Sequence, residues 1–296
     1  MKSLEQLMEL AKDKASKKVA VVAADDLDIL EVIAKAEVMN LAEFILVGDR
    51  KKIEHIISEN SLKIKVEIVD EKDHKKAADR AVDLVVNGDA GVLMKGMLHS
   101  SVFLKAILNK EKGLNIGKHI TQISVLDKED QGGLMFITDC AITVNPDLNG
   151  KKEVLENAVD LAHKLGVKTP KVAVLASLEV VNPNMQDTID AAVLSKMAER
   201  GQIKGCIVDG PFALDNAVSV EAARTKNITG PVAGQADIIV VPNLTVGNTL
   251  TKSLTYMAKK TVVAATVGTA VPIVFTSRTE SMEGKLLSIA LATYVS

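Results

Sequence analysis

In the stretch IVFTSRTESMEGKLLSIALA a β-branched run ends at Thr276, and Ser277, Arg278, Glu280 and Glu283 follow within seven residues. A helix opening here would aim its first backbone N–H groups into the space beyond the strand, where an anion is stabilised by unpaired donors and by the helix dipole. Arg278 would add a guanidinium. The chain has only five arginines (50, 80, 200, 224, 278) against 31 lysines, and a planar fork of donors at such a place suits a phosphate group. The same spacing has a plainer reading, because Ser277-x-x-Glu280 also fits a helix capping box.

Three further segments carry polar groups where a strand gives way to a turn. In GVLMKGMLHSSVF a strand stops at Lys95-Gly96, and His99, Ser100 and Ser101 stand at the entrance of a helix. Either serine could be a simple N-cap, but a lysine emerging from a buried strand needs an anionic partner. In VDGPFALDNAV, Asp209, Asp215 and Asn216 surround a Gly-Pro turn. That is turn chemistry, or a surface loop that carries function. In VVPNLTVGNTLTK, Gly247, Asn248, Thr249 and Lys252 open a helix expected over 247–259. They could meet phosphate oxygens, or the glycine could serve tight strand-to-helix packing.

The elements that would position these groups are legible as alternation. Short apolar runs at 19–24, 44–48, 66–70, 91–96 and 120–126 read as buried strands, separated by amphipathic helical stretches such as LDILEVIAKAEVMN and HKKAADRAVDLVVN. A second series comes after LMFITD: helix 151–165, strand KVAVLA, helix 187–200, strand CIVDG, strand ADIIVV. Strand-helix alternation of this kind means parallel βα units. The expected fold is therefore α/β: two three-layer α/β domains with largely parallel sheets and an interdomain active-site cleft. Turn residues cluster in VNPDLNGKK, which places the crossing near residue 140.

Composition removes several classes of function. With 36 basic and 38 acidic residues the net charge is -2, which offers no electrostatic footprint for nucleic acid or an anionic membrane. No segment offers the about 18 to 20 uncharged apolar residues that a bilayer-spanning helix needs, and MKSLEQLMELAKDKASKK lacks the apolar core of a signal peptide. A cytoplasmic protein is expected. Cys140 and Cys206 lack CxxC spacing and read as reduced core thiols, while the five histidines show no ligand spacing, so no metal is expected. The chain contains no GxGxxG after a strand, no GxxxxGK[ST] and no GxSxG, which argues against dinucleotide, P-loop and α/β-hydrolase chemistry.

Taken in order, KGMLHSS, FITDCA, VDGPFALDNA, AGQADIIVVPNLTVGN with Lys252, and PIVFTSR resemble the phosphate acetyl/butyryltransferase family from about residue 18 onward. Its butyryl members are the most similar in length and in the ending TSRTES-x5-LSIALA. The resemblance implies that a C-terminal segment crosses back to the first domain, giving 1–140 plus 278–296 as one domain and 141–277 as the other, in a homodimer or higher homo-oligomer. It implies direct attack of phosphate on the thioester of butyryl-CoA in a ternary complex, with coenzyme A and phosphate as substrates and no cofactor. Ser277 then donates to the developing charge, Arg278 holds phosphate, and Glu283 or Glu280 handles the thiol proton, with the lean to Glu283. Lys95, His99, Ser100, Asp209, Asn216, Gly247, Asn248 and Lys252 are the expected substrate-binding residues. The alternatives are acetyl-CoA as substrate, a catalytically silent acyl-CoA-sensing domain, and a metal-dependent decarboxylating dehydrogenase. The retained Ser277-Arg278 pair opposes the second, and the lack of a dinucleotide segment or aspartate cluster opposes the third.

Overall fold

Short polar side chains open most of the helices. Asp26, Asp49, Asp73, Asp147, Ser219, Asn243 and Ser281 each accept a backbone N–H from the first turn of the helix they precede, which satisfies donors that the helix itself leaves unpaired. The computed structural model describes residues 1–13, 17–109, 111–128, 132–277 and 279–296. In chain order its elements are α1 (Leu4–Asp13), β1 (Lys18–Val22), α2 (Leu27–Val38), β2 (Glu43–Gly48), α3 (Arg50–Glu59), β3 (Glu67–Asp70), α4 (His74–Val86), β4 (Val92–Lys95), α5 (Ser100–Ile107), β5 (Thr121–Asp127) and β6 (Leu134–Thr138). Next come α6 (Leu148–Lys164), β7 (Lys171–Leu175), α7 (Gln186–Glu199), β8 (Ile207–Phe212), α8 (Leu214–Val218), α9 (Val220–Thr225), β9 (Ile238–Val240), α10 (Leu244–Lys252) with a π turn at Ser253–Met257, β10 (Val263–Val267), β11 (Ile273–Val274) and α11 (Met282–Val295).

The chain divides into two units. The N-terminal unit is Leu4–Lys118 with Val263–Ser296, and the central unit is Met1–Ser3 with His119–Val262. In the N-terminal unit the strands run β3-β2-β1-β4-β11-β10, all parallel except β10, which is antiparallel to β11. Successive residues Val19, Ala20, Val21 and Val22 of β1 are all fully buried, so both faces of this sheet are covered, as parallel sheets require. Val19, Val21, Met94 and Val274 face a core shared with α2 and α11, and α4 packs on β1 and β2. In the central unit the order is β5-β6-β9-β7-β8, parallel from β6 onward, with β5 turned back against β6.

These boundaries, at 118/119 and 262/263, differ from the 140 read from turn composition and from the 277/278 that the resemblance implied, and strand pairing is the reason. Ser124 of β5 pairs with Ile137 of β6, which pairs with Ile239 of β9, so the hairpin before residue 140 belongs to the central sheet. Val274 pairs with Met94 of β4, so the returning segment has rejoined the N-terminal sheet before residue 278. A hairpin of alternating apolar residues looks alike in either sheet until its partner is known.

Candidate active site

In the N-terminal unit, three parallel strands end together. Val22 of β1 is in register with Lys95 of β4, and Met94 with Val274 of β11. The residues just past these strand ends, Ala23, Gly96 and 275–277, therefore lie along the carboxyl edge of the sheet, the side on which open α/β sheets bind ligands. Gly96 is needed there, because a Cβ on it would stand 2.3 Å from the Val22 carbonyl oxygen and 2.4 Å from that of Ala23. Lys95 is 6% exposed. Its Nζ donates to the Gly96 carbonyl at 3.2 Å and lies 5.9 Å from the centre of the Phe275 ring, which stacks on Phe103 of α5. A partly desolvated ammonium beside an aromatic face is stabilised there by the ring quadrupole. His99 occupies the cap position of α5 without a side-chain capping bond, and both it and Ser100 are exposed.

The segment after β11 does not enter a helix at once. Helix α11 begins at Met282 and is capped by Ser281, whose Oγ accepts the Gly284 N–H at 3.1 Å. The Glu280 N–H instead donates to the Ser277 carbonyl at 3.2 Å. The reach-back half of a capping box survives, with the Ser277 N–H donating to Glu280 Oε2 at 3.2 Å. Ser277 is exposed, and its Oγ lies 3.1 Å from that of Thr279. Arg278, expected between them, lies outside the described residues.

Glu280 is the electrostatically unusual group of this edge. Burial pushes its carboxyl up to about 7, against the opposing pull of the Ser277 N–H, the Ser288 hydroxyl and the Lys285 charge. Glu283, in the first turn of α11, is exposed. The two carboxyls that sequence spacing left open are thus in different environments, and only Glu280 is tied to Ser277.

The central unit contributes a second cluster. Asp139, directly after β6, is 3% exposed. Its Oδ1 accepts the N–H groups of Ala141 and Ile142 at 2.8 and 3.0 Å, and its Oδ2 accepts that of Thr143 at 3.0 Å. Burial raises its pKa, the three N–H donors opposing. This loop is held against α10: the Asn248 amide donates to the Cys140 carbonyl at 3.3 Å, and a Cβ on Gly247 would stand 2.3 Å from the Asp139 carbonyl oxygen. Packing is therefore the evident reason for that glycine. Because Asn243 caps α10 and starts it at Leu244, Gly247 and Asn248 sit in its second turn and exposed Lys252 at its end, away from the N-terminus where spacing had placed them. Asp209 ends half-buried in β8. Asn216, in α8, is fully buried, and neither polar atom of its amide has a hydrogen-bond partner among the described residues.

The structure thus brings Lys95, His99, Ser100, Ser277 and Glu280 to one sheet edge, and Gly247 and Asn248 to a loop organised by Asp139. Asp139 and Ser288 were missed as individual residues. The motif FITDCA was visible, but nothing in it announced that the aspartate would be wrapped by three N–H groups. Burial drives the thiol of Cys140 up to about 12 and that of half-buried Cys206 up to about 11, so both are held as neutral thiols near neutrality.

The family described as phosphate acetyl/butaryl transferase matches residues 69–293. A Clostridium beijerinckii protein named phosphate butyryltransferase is 46% identical over 295 residues, covering 99% of this chain and 98% of its own. A Thermotoga maritima phosphate acetyltransferase is 42% identical over 289 residues, covering 98% of both chains. Among solved structures, a branched-chain phosphotransacylase from Enterococcus faecalis V583 superposes with a TM-score of 0.83 at 32% identity, covering 94% of this chain and 98% of that one. This chain belongs to the phosphate acetyl/butyryltransferase family.

Proposed function

We propose that this chain exchanges the CoA of a short acyl-CoA, butyryl-CoA ahead of acetyl-CoA, for inorganic phosphate, releasing an acyl phosphate. The observation that carries the reading is end-to-end similarity, 46% over 99% of the chain, to a protein named for that reaction. A phosphate oxygen attacks the thioester carbonyl, the tetrahedral intermediate collapses, the C–S bond breaks, and the departing thiolate takes a proton. Glu280 supplies that proton. Its carboxyl, held at about 7, is the group near Ser277 able to give a proton to sulfur and recover it in the reverse direction near neutral pH. This moves the acid/base role from Glu283, which lies in water, to Glu280.

Ser277 donates its hydroxyl to the developing oxyanion or sulfur, and Arg278 holds phosphate through paired N–H donors. Lys95, His99 and Ser100 offer positive charge and donors to the anionic substrates at the same edge. On the central unit, Asp209, Gly247, Asn248 and Lys252 are proposed to bind substrate, and buried Asn216, on the helix that follows β8, to position the end of that strand. CoA and phosphate are the substrates, so the reaction as written requires neither cofactor nor metal. A homodimer is the proposed assembly, which a light-scattering mass on the purified chain checks.

The Thermotoga maritima relative, named a phosphate acetyltransferase, favours acetyl-CoA as the second reading. The experiment is phosphate-dependent CoA release from acetyl-, propionyl-, butyryl- and isobutyryl-CoA, followed by thiol titration. Release that is fastest from a four-carbon thioester is expected. No release from any of them would leave only a silent acyl-CoA-binding role.

A further inference from the structure

Ser288 lies on α11 two turns beyond the serine that caps it, and it is fully buried. Its hydroxyl oxygen accepts the Ala264 backbone N–H of β10 at 3.2 Å and lies 3.3 Å from Glu280 Oε1. An oxygen engaged by an N–H donor in this way turns its own hydrogen elsewhere, and the carboxylate, which only accepts, is there to receive it. Gly284 leaves the gap that the carboxyl fills: a Cβ on it would stand 3.0 Å from Glu280 Cγ and 3.1 Å from Oε1. Neither residue takes part in the transfer of the acyl group itself.

We propose that Ser288 and Gly284 are positioning residues for Glu280, the serine anchoring its carboxyl to β10 through the chain Ala264 N–H, Ser288 Oγ, Glu280 Oε1, and the glycine keeping the niche open. The inference rests on the reading of Glu280 as the proton carrier. Among the described residues, three polar groups face that carboxyl. Lys285 from α11 and the Ser277 N–H from the preceding turn favour its charged form together with Ser288, and β10 contributes only the neutral Ala264 N–H that holds the serine. Removing the Ser288 hydroxyl leaves the burial and the other two groups in place, so the carboxyl should keep its proton to higher pH.

The test measures thioester formation from butyryl phosphate and CoA as a function of pH, together with kcat and KM, for the full chain and for Ser288→Ala, Gly284→Ala and Glu280→Gln. In this direction the carboxylate is the base, so the rate rises as Glu280 loses its proton. In Ser288→Ala that rising limb should move upward by roughly one pH unit, with kcat near neutrality about fivefold lower and about tenfold lower on the acid side, the scale of losing one hydrogen bond to a charged group. Gly284→Ala suits a helix better than glycine does. It should leave the thermal midpoint unchanged or raised while lowering kcat by about tenfold through displacement of the carboxyl, with KM for both substrates within about twofold. It also stands as the test should Ser288→Ala fail to fold. If Ser288 merely satisfies the Ala264 N–H, Ser288→Ala lowers the midpoint and leaves the limb where it is, which overturns the proposal, as does wild-type kcat in Gly284→Ala. Wild-type turnover in Glu280→Gln would instead remove the proton carrier itself, so the two failures are told apart.

Discussion

Glu280 is asked to be half-buried and to ionise, and the two demands oppose each other in a way that stability can report. Its ordinary value is 4.5 and the folded value about 7. Between them the folded chain keeps a proton that the unfolded chain has lost. Stability therefore falls as pH rises through that window and levels off above it. Replacing the carboxyl by a neutral amide removes the penalty: Glu280→Gln should gain on the order of 2 kcal/mol over the parent at about pH 8, a difference that vanishes toward about pH 4, while turnover collapses. Urea unfolding at both pH values checks it, and a difference independent of pH would refute a half-buried, titrating carboxyl. Arg278 is judged by geometry against charge. If it grips phosphate with two parallel N–H groups, Arg278→Ala should lose on the order of 10² to 10³ in kcat/KM for phosphate, and Arg278→Lys should recover little of that, because an ammonium cannot supply the pair. Near-wild-type turnover in the alanine variant would take Arg278 out of the site.

At the scale of elements, the edge formed by β1, β4 and β11 depends on how closely the chain after β4 passes the end of β1. The Gly96 N–H donates to the Val22 carbonyl at 2.8 Å and the Met97 N–H to that of Ala23 at 2.9 Å, an approach that leaves no room for a side chain. Gly96→Ala should therefore cost about 2 to 4 kcal/mol and disturb Lys95, whereas Gly88→Ala, with open space around it, should lose only what its positive φ of 83° imposes. Thermal midpoints of the two variants decide it, and equal losses would mean that the strand ends pack loosely enough to admit a methyl group. Strands β1, β2 and β4 were legible because buried parallel strands read as unbroken apolar runs, β3 at the sheet edge showed only the short run VEIVD and buries none of its residues, and the helices between them repeat every three or four residues. Helix starts were less so. Ser277 and Ser281 are both plausible caps ahead of one apolar stretch, and Asn243 competes with Gly247 for the start of α10. Local spacing cannot choose, since the winner is set by which side chain finds a free N–H after the chain has packed. The site was legible where a motif ends a strand, as at Lys95 and Ser277. It was illegible at Ser288, whose partners Ala264 and Glu280 lie 24 and 8 residues away.

For the molecule as a whole, specificity turns on how much of the acyl chain the enzyme uses. Phosphate and the CoA moiety are common to every substrate of the reaction, so preference among thioesters isolates the acyl group, and its physics is burial of methylenes. Each one transferred from water to an apolar site is worth about 0.8 kcal/mol. Butyryl-CoA should then exceed acetyl-CoA in kcat/KM by roughly tenfold, somewhat less than the two methylenes would give if fully desolvated, with propionyl-CoA between them. The gain must appear in kcat/KM to count as recognition of the transition state. A lower KM offset by a lower kcat would mean only that the chain binds the longer ground state more tightly. Isobutyryl-CoA adds a test of shape at constant carbon number: a site that reads apolar area alone treats it within a few-fold of butyryl-CoA, and a site moulded to a straight chain does not. Initial rates at saturating phosphate for the four thioesters give all the ratios in one experiment. A flat series, or one led by acetyl-CoA, would reject the butyryl assignment while leaving the transfer reaction and the role of Glu280 standing.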